Sequence, residues 1–375
     1  MKNKTVFLLR IEPASYILAL VKALRETWDG DIVTRFIASS LTQDWAAKID
    51  EPGAALLPAD ENAAYREIKR TFSVSPPDLV HTAGWGQPIC WKSIKLAEKK
   101  SVPTVVDLDT WQDAARGVRA EIKKVVLPMR LRKITHFAAG GSRQAAFLQR
   151  YGVPLSKITK VNMTVDTLAI QTYLETHPNC GTTFRRKHNI SLDAKVFLYL
   201  GRLAPSKGIE KLLDAWPIIS GREPKAQLVI VGDGPLLNVA KSRNLERVSY
   251  LGRLSGDEVW QAYAAANCFL APSQREAWGL TINEAMAAGL PIIMTDAFGC
   301  IGDLAVNQET AIIVDAADEN ALAAAALEVV SSDALAALLS QGALRRISDW
   351  TIEHEAQNIV SIWTELLSAE QGIRP

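Results

Sequence analysis

The chain has 375 residues, 48% of them hydrophobic and 22% charged, and a formal net charge of +1. That length exceeds one ordinary hydrophobic core and fits two domains of middling size. A charge so near zero gives no global field for nucleic acid, so any phosphate chemistry has to be local.

Read in chain order, short apolar runs alternate with helical stretches, the pattern of parallel sheets covered by helices. The first half predicts strands at Thr5–Leu9, Asp31–Phe36, Leu79–His81, Thr104–Asp107, His136–Ala139 and Ile158–Val161. A helix is predicted over Ser15–Thr27 with Ser15 as its cap. The run Val6–Leu9 meets Arg10, Glu12 and Pro13 too soon for a signal peptide or membrane span, so a cytoplasmic location is expected. The second half predicts strands at Val196–Leu200, Gln227–Val231, Val248–Leu251, Cys268–Ala271, Pro291–Met294 and Ala311–Val314. The expected result is two doubly wound halves joined around Asp166–Thr176. Ala-rich helices over Asn320–Leu344 are followed by an amphipathic helix, Trp350–Leu367, with Ile352, Ile359, Trp363 and Leu366 at roughly helical spacing. That helix either caps the second domain or crosses back to cover the first. Cys90, Cys180, Cys268 and Cys300 form no C-x-x-C pair and are expected to be small hydrophobes or idle thiols.

The strongest chemical signal is the stretch 274–291, QREAWGLTINEAMAAGLP. It follows an apolar strand and opens a helix near Thr281. Unpaired amides and the helix dipole favour an anion there, and Gly279 lets a ligand approach the backbone. Glu276 lies in the loop and Glu284 in the first helical turn, two carboxylates suited to accept hydrogen bonds from ribose and sugar hydroxyls. Arg202 and Lys207 follow another strand, at the carboxyl edge where open α/β sheets bind ligands. Together they can neutralise a departing diphosphate. Gly232-Asp-Gly234 is no dinucleotide fingerprint, because position 237 is leucine and Pro235 follows the second glycine.

These segments resemble family-four retaining glycosyltransferases of the GT-B fold. Glu276 and Glu284 with Trp278-Gly279-Leu280 between them look like that family's E-x7-E element. Gly201-Arg202 with Lys207-Gly208 looks like its phosphate-binding segment. Gly232-Asp-Gly234-Pro235 and Gly252-Arg253 look like its next two strand ends, the latter beside the nucleotide base. The match runs over roughly residues 196–315, while the first half matches only through Pro77–His81 and Val161–Asp166.

The resemblance implies a GT-B fold: two Rossmann-like domains with an interdomain cleft and the C-terminal helix crossing back to the first. The domains are expected at 1–168 (acceptor), 169–348 (donor) and 349–375 (helix). It implies transfer of a hexose from a UDP- or GDP-linked sugar, with retention, to a glycan or lipid-linked acceptor in surface polysaccharide or glycolipid assembly. No cofactor or metal is implied. Arg202, Lys207 and the Gly279–Leu280 amides would stabilise the diphosphate, Glu284 would hold the ribose and Glu276 the transferred sugar. Gly201, Gly232, Gly234, Arg253 and Trp278 complete the donor side.

Two departures fall in the first half. Asp109 stands where the family often has a histidine, and is expected at the catalytic site against the transferred sugar or the acceptor; the segment Arg10–Ser15 replaces a Gly-rich turn, with Pro13 lacking an amide hydrogen. Glu12 and His81 are therefore candidates on the acceptor side. Asp107 and Asp109 resemble a metal-binding Asp-x-Asp pair, yet cationic side chains already serve the diphosphate, so no metal is expected. The segment Arg116–Lys133 is basic and apolar, broken by Pro128; it suits either a solvated helix face or contact with an anionic membrane surface. Nucleic acid is not an expected partner. Two rivals stay open, a nucleotide-sugar epimerase and a non-catalytic binding partner in an assembly complex.

Overall fold

The computed structural model describes residues 4–40, 48–112, 117–318 and 320–369. It divides into two compact α/β units. One runs to Thr164 and takes in the chain again from Ile352; the other is Val165–Thr351.

The first unit holds a seven-stranded sheet: β1 (Thr5–Arg10), β2 (Asp31–Phe36), β3 (Ala54–Leu56), β4 (Leu79–Thr82), β5 (Thr104–Leu108), β6 (His136–Ala139) and β7 (Ile158–Lys160). Their order is β3-β2-β1-β4-β5-β6-β7, every pair parallel. Val6, Phe7, Leu8 and Leu9 are all fully buried, as a parallel strand covered on both faces requires. The order reverses between β1 and β4, which makes the carboxyl ends of those strands the natural ligand edge. Strand β3 escapes the sequence pattern because it is three residues with two alanines.

The C-terminal helix, Ile352–Ala369, belongs to this unit. Its Ile352, Ala356, Ile359, Ile362, Trp363 and Leu367 join Leu20, Val21, Leu24 and Trp28 of the helix Ser15–Thr27 in one buried cluster. Burying each large aliphatic or aromatic side chain contributes about 1.5–3 kcal/mol, which is ample to fasten the helix. Leu367, not Leu366, is the fully covered residue of the last turn. Ser15 is not the cap of its helix. Ala14 holds that position with extended backbone and no side-chain bond, so the first turn lacks the usual hydroxyl acceptor.

The second unit holds six strands: β8 (Lys195–Leu200), β9 (Ala226–Val231), β10 (Val248–Gly252), β11 (Cys268–Ala271), β12 (Ile292–Thr295) and β13 (Ile312–Val314). Their order is β10-β9-β8-β11-β12-β13, again all parallel, with the reversal between β8 and β11. The segment expected as a joint, Asp166–Thr176, is a helix of this unit over Thr167–Thr176. Asp166 caps it, its carboxylate accepting from the amide of Ala169 at 3.0 Å. Cys90, Cys268 and Cys300 are buried and Cys180 half-exposed, all as free thiols; burial pushes the Cys90 thiol up to about 12.

Candidate functional site

In the second unit the edge at the reversal point carries the donor candidates. Gly201 and Arg202 follow β8, and Pro205–Lys207 forms a single 3-10 turn ending at Gly208. The carbonyl of Ser206 accepts from the amides of Gln274 and Arg275 at 2.9 and 3.2 Å. That stitching holds the turn against the loop after β11, and Lys207 Nζ donates to Glu276 Oε2 as an ion pair. Both side chains are only partly covered. Arg202 is exposed, and its carbonyl accepts the Tyr199 hydroxyl at 2.9 Å. Gly232, at φ +132°, is required by space as well as conformation: a Cβ there would lie 1.9 Å from the Gly201 carbonyl oxygen. Thus the end of β9 lies against the Arg202 segment. Gly234 follows, its amide bonded to the Asp233 carboxylate at 2.7 Å, and Arg253 Nε lies 3.5 Å from the same carboxylate.

Gly279 caps the helix Leu280–Ala287 at φ +104°. A Cβ at this position would meet the Phe298 ring at 2.4 Å, so packing demands the glycine as much as any ligand does. Leu280 opens the helix, presenting the first-turn amides. Glu284, one turn on, accepts from the Tyr263 hydroxyl at 2.8 Å. Burial pushes its carboxyl up to about 7, with the Tyr263 bond pulling the other way. Trp278 is not a donor-pocket side chain. It is 2% exposed, donates from Nε1 to Asn283 Oδ1 at 3.0 Å and stacks on Trp350 at 5.5 Å. Its ring is too large and apolar to remain at the edge when a core position is available.

In the first unit a cavity of about 230 Å³ opens at the corresponding strand ends. Arg10, Glu12, Tyr16, Asp107, Asp109 and Glu355 supply its polar lining. Glu12 and Asp109, both expected on sequence grounds, are therefore brought together here. His81 is not. It is fully buried on β4, where its Nε2 meets Asp107 Oδ1 at 2.7 Å and its Nδ1 faces Trp363 Nε1 at 3.1 Å. An indole N–H only donates, so Nδ1 accepts and Nε2 carries the proton. Burial lowers the His81 pKa against the pull of Asp107, which keeps the ring neutral. The other oxygen of Asp107 pairs with Arg10 Nη1. Burial alone would raise the Asp107 carboxyl, but Arg10 and His81 together bring it down to about 2. Asp107 is thus engaged by both Arg10 and His81.

Three further groups here, Glu355, Tyr16 and Arg10, escaped sequence reasoning as site residues. Glu355, on the C-terminal helix, accepts from the amide of Thr164 at 3.1 Å, and burial pushes its carboxyl up to about 8. Burial, with Asp109, Glu12 and Glu355 nearby, raises Tyr16 to about 12. Glu355 had a legible signal, an acid set in the apolar stripe between Ile352 and Ile359. Arg10 is 3% exposed, and its Nε and Nη2 have no hydrogen-bond partner. Leaving buried donors unmet costs about 1–3 kcal/mol, the mark of a group kept for something else.

Two doubly wound parallel units with polar groups gathered at their strand ends define the GT-B fold class. Residues 182–346 match the family model described as glycosyl transferases group 1. The chain is 27% identical over 288 residues to a D-inositol 3-phosphate glycosyltransferase of Rhodococcus jostii, covering 74% of this chain and 61% of that protein. It is 31% identical over 196 residues to the lipopolysaccharide core biosynthesis mannosyltransferase LpsB of Rhizobium meliloti, covering 48% and 55%. The aligned part thus spans less than two thirds of either relative. Among solved structures, Anabaena HepE in complex with UDP and glucose superposes with a TM-score of 0.77 at 17% identity, over 97% of this chain and all of that one. At that identity the likeness shows the fold.

Proposed function

We propose that the protein is a retaining, metal-independent glycosyltransferase that moves a hexose from a UDP- or GDP-linked sugar to a glycan or lipid-linked acceptor. The observation that carries this reading is the Lys207–Glu276 pair at the reversal point of the second sheet, with Arg202 and Glu284 on the same edge. A diphosphate drawn to Lys207 and Arg202 releases Glu276 to accept hydrogen bonds from the sugar hydroxyls, while Glu284 holds the ribose. As the glycosidic bond breaks, its electron pair passes to the phosphate oxygen, which Arg202, Lys207 and the Leu280 amide stabilise. Such donors are worth about 3–4 kcal/mol each in the transition state. The acceptor oxygen bonds the anomeric carbon from the same face and gives its proton to the leaving phosphate, so no side-chain base is assigned. HepE, solved with UDP and glucose, and LpsB, a mannosyltransferase of lipopolysaccharide core biosynthesis, support the donor and acceptor classes. Nucleotide release is the test, measured against a panel of nucleotide sugars. Release of one nucleotide, lost in both Lys207→Ala and Glu276→Ala, supports the reading; a chain that binds no nucleotide sugar refutes it.

A peripheral position on the cytoplasmic face of a membrane is part of the proposal. The supporting feature is the helix Val118–Leu131, which continues through Pro128 instead of breaking there. Arg116 and the side chain of Arg119 lie outside the described residues. Leu127 and Leu131 face the core, while Ile122, Val125 and Met129 are 56%, 64% and 55% exposed. Lys123, Lys124, Arg130, Arg132 and Lys133 flank that apolar strip. No single described helix is long and apolar enough to cross a membrane. Binding to vesicles containing anionic lipid should fall when Ile122, Val125 and Met129 become serine; unchanged binding removes this part of the proposal.

A further inference from the structure

The first unit holds an arginine that the donor chemistry does not use, and this inference rests on that unit being the acceptor side. Arg10 ends β1 in the cavity at the strand ends, with Nε and Nη2 buried and unpartnered. Its third nitrogen, Nη1, is tied to Asp107. Asp107 is itself fixed by His81, whose tautomer is set by the indole N–H of Trp363, 282 residues away in sequence. Each bond in this series has one possible direction. The indole can only donate, so His81 must donate to Asp107, and Asp107 must accept from Arg10. The result is a guanidinium fixed at Nη1, with Nε and Nη2 buried and without a hydrogen-bond partner, in a residue that lines the cavity.

We propose that Arg10 is the acceptor anchor of the first unit, gripping two oxygens of an uncharged sugar through Nε and Nη2, and that Asp107, His81 and Trp363 are its positioning residues. The paired N–H edge fits two oxygens side by side. A phosphate or carboxylate has that geometry, but so do neighbouring hydroxyls. The lining decides between them: four carboxyl groups, Glu12, Asp107, Asp109 and Glu355, face the cavity beside one guanidinium. A neutral sugar accepts from Arg10 while its hydroxyl hydrogens donate to Glu12 and Asp109. An anionic group adds one more negative charge among them.

The test uses full-length protein labelled with nitrogen-15 at arginine, with the Arg10 Nε–H signal assigned by its loss in Arg10→Lys. Methyl glycosides of glucose, galactose and mannose are titrated in, beside the corresponding 6-phosphates and uronates. At least one neutral glycoside is expected to shift the signal, with the charged forms about tenfold weaker or more, one lost interaction's worth. His81→Leu should weaken that glycoside by about tenfold through release of Asp107. His81→Gln should restore it, because a glutamine amide can donate to Asp107 while its carbonyl accepts from Trp363. UDP and GDP affinity, measured by calorimetry on the same variants, should not move. No shift with any neutral glycoside, stronger binding of the charged forms, or equal rescue by leucine and glutamine would each overturn the proposal. Because the titration contains no donor, failure of nucleotide binding counts against the second unit alone.

Discussion

The two units share one architecture and use it in opposite ways. In the second, the charged groups at the strand ends are exposed or half-buried and come from short neighbouring segments: the turn after β8 holds Lys207, and the loop after β11 holds Glu276. In the first, Arg10, Glu12 and Glu355 are sunk into the unit, and the groups around them are oriented by partners distant in sequence, Trp363 on His81 and Thr164 on Glu355. Exposure leaves Lys207 and Glu276 able to exchange each other for a ligand. Burial leaves Arg10 and Glu355 little freedom, so their chemistry is set before any ligand arrives.

The largest effect expected from this contrast is on the stability of the first unit. Glu355 has its folded-state pKa raised to about 8. Between the ordinary carboxyl range and pH 8 the folded chain keeps this proton while the unfolded chain loses it. Stability should therefore fall as pH rises through that window, by about 4 kcal/mol in all. Glu355→Gln, which carries no titrating proton, should lose this slope in urea unfolding of the first unit from pH 5 to 8.5. An unchanged slope would show that Glu355 is ionised and exposed after all.

A smaller effect is expected in the second unit. Glu284, with its carboxyl at about 7, accepts from both ribose hydroxyls at full strength only after losing its proton. Nucleotide affinity should thus rise by about tenfold per pH unit up to that value and level off above it. Glu284→Gln should flatten the profile. A parent profile already flat from pH 6 to 8 would sever Glu284 from the nucleotide.

The smallest is at Trp278. Trp278→Phe removes the Nε1 bond to Asn283 Oδ1, at about 1 kcal/mol of stability. Nucleotide affinity should stay as it was, since the ring is inside the unit. Loss of affinity without loss of stability would return Trp278 to the donor pocket.

The sequence was most readable where function is local. Twelve of the strands follow from apolar runs followed by turn residues, and the Arg202–Lys207 and Glu276–Glu284 segments stand out because each spans a single strand-to-helix connection. Strand β3 was illegible for want of side-chain pattern. Trp278 was misassigned because a motif position says nothing about which way a ring packs. His81 was placed on the acceptor side because a histidine near a strand end reads the same whether buried or exposed. Its true partners, Asp107 and Trp363, are joined only by the fold, the second through a helix that returns to the first unit from the far end of the chain. Tyr263 was missed for the same reason: its bond to Glu284 spans two helices.

The central claim is that the nucleotide binds at the strand ends of the second unit, and backbone hydrogen exchange with and without UDP or GDP tests it most directly. One of the two nucleotides should slow exchange at residues 201–208 and 274–284, leaving the exchange of β1 and β5 as it was. Protection confined to the first unit, with those two segments unaffected by either nucleotide, would mean that the donor site has been placed on the wrong half of the chain.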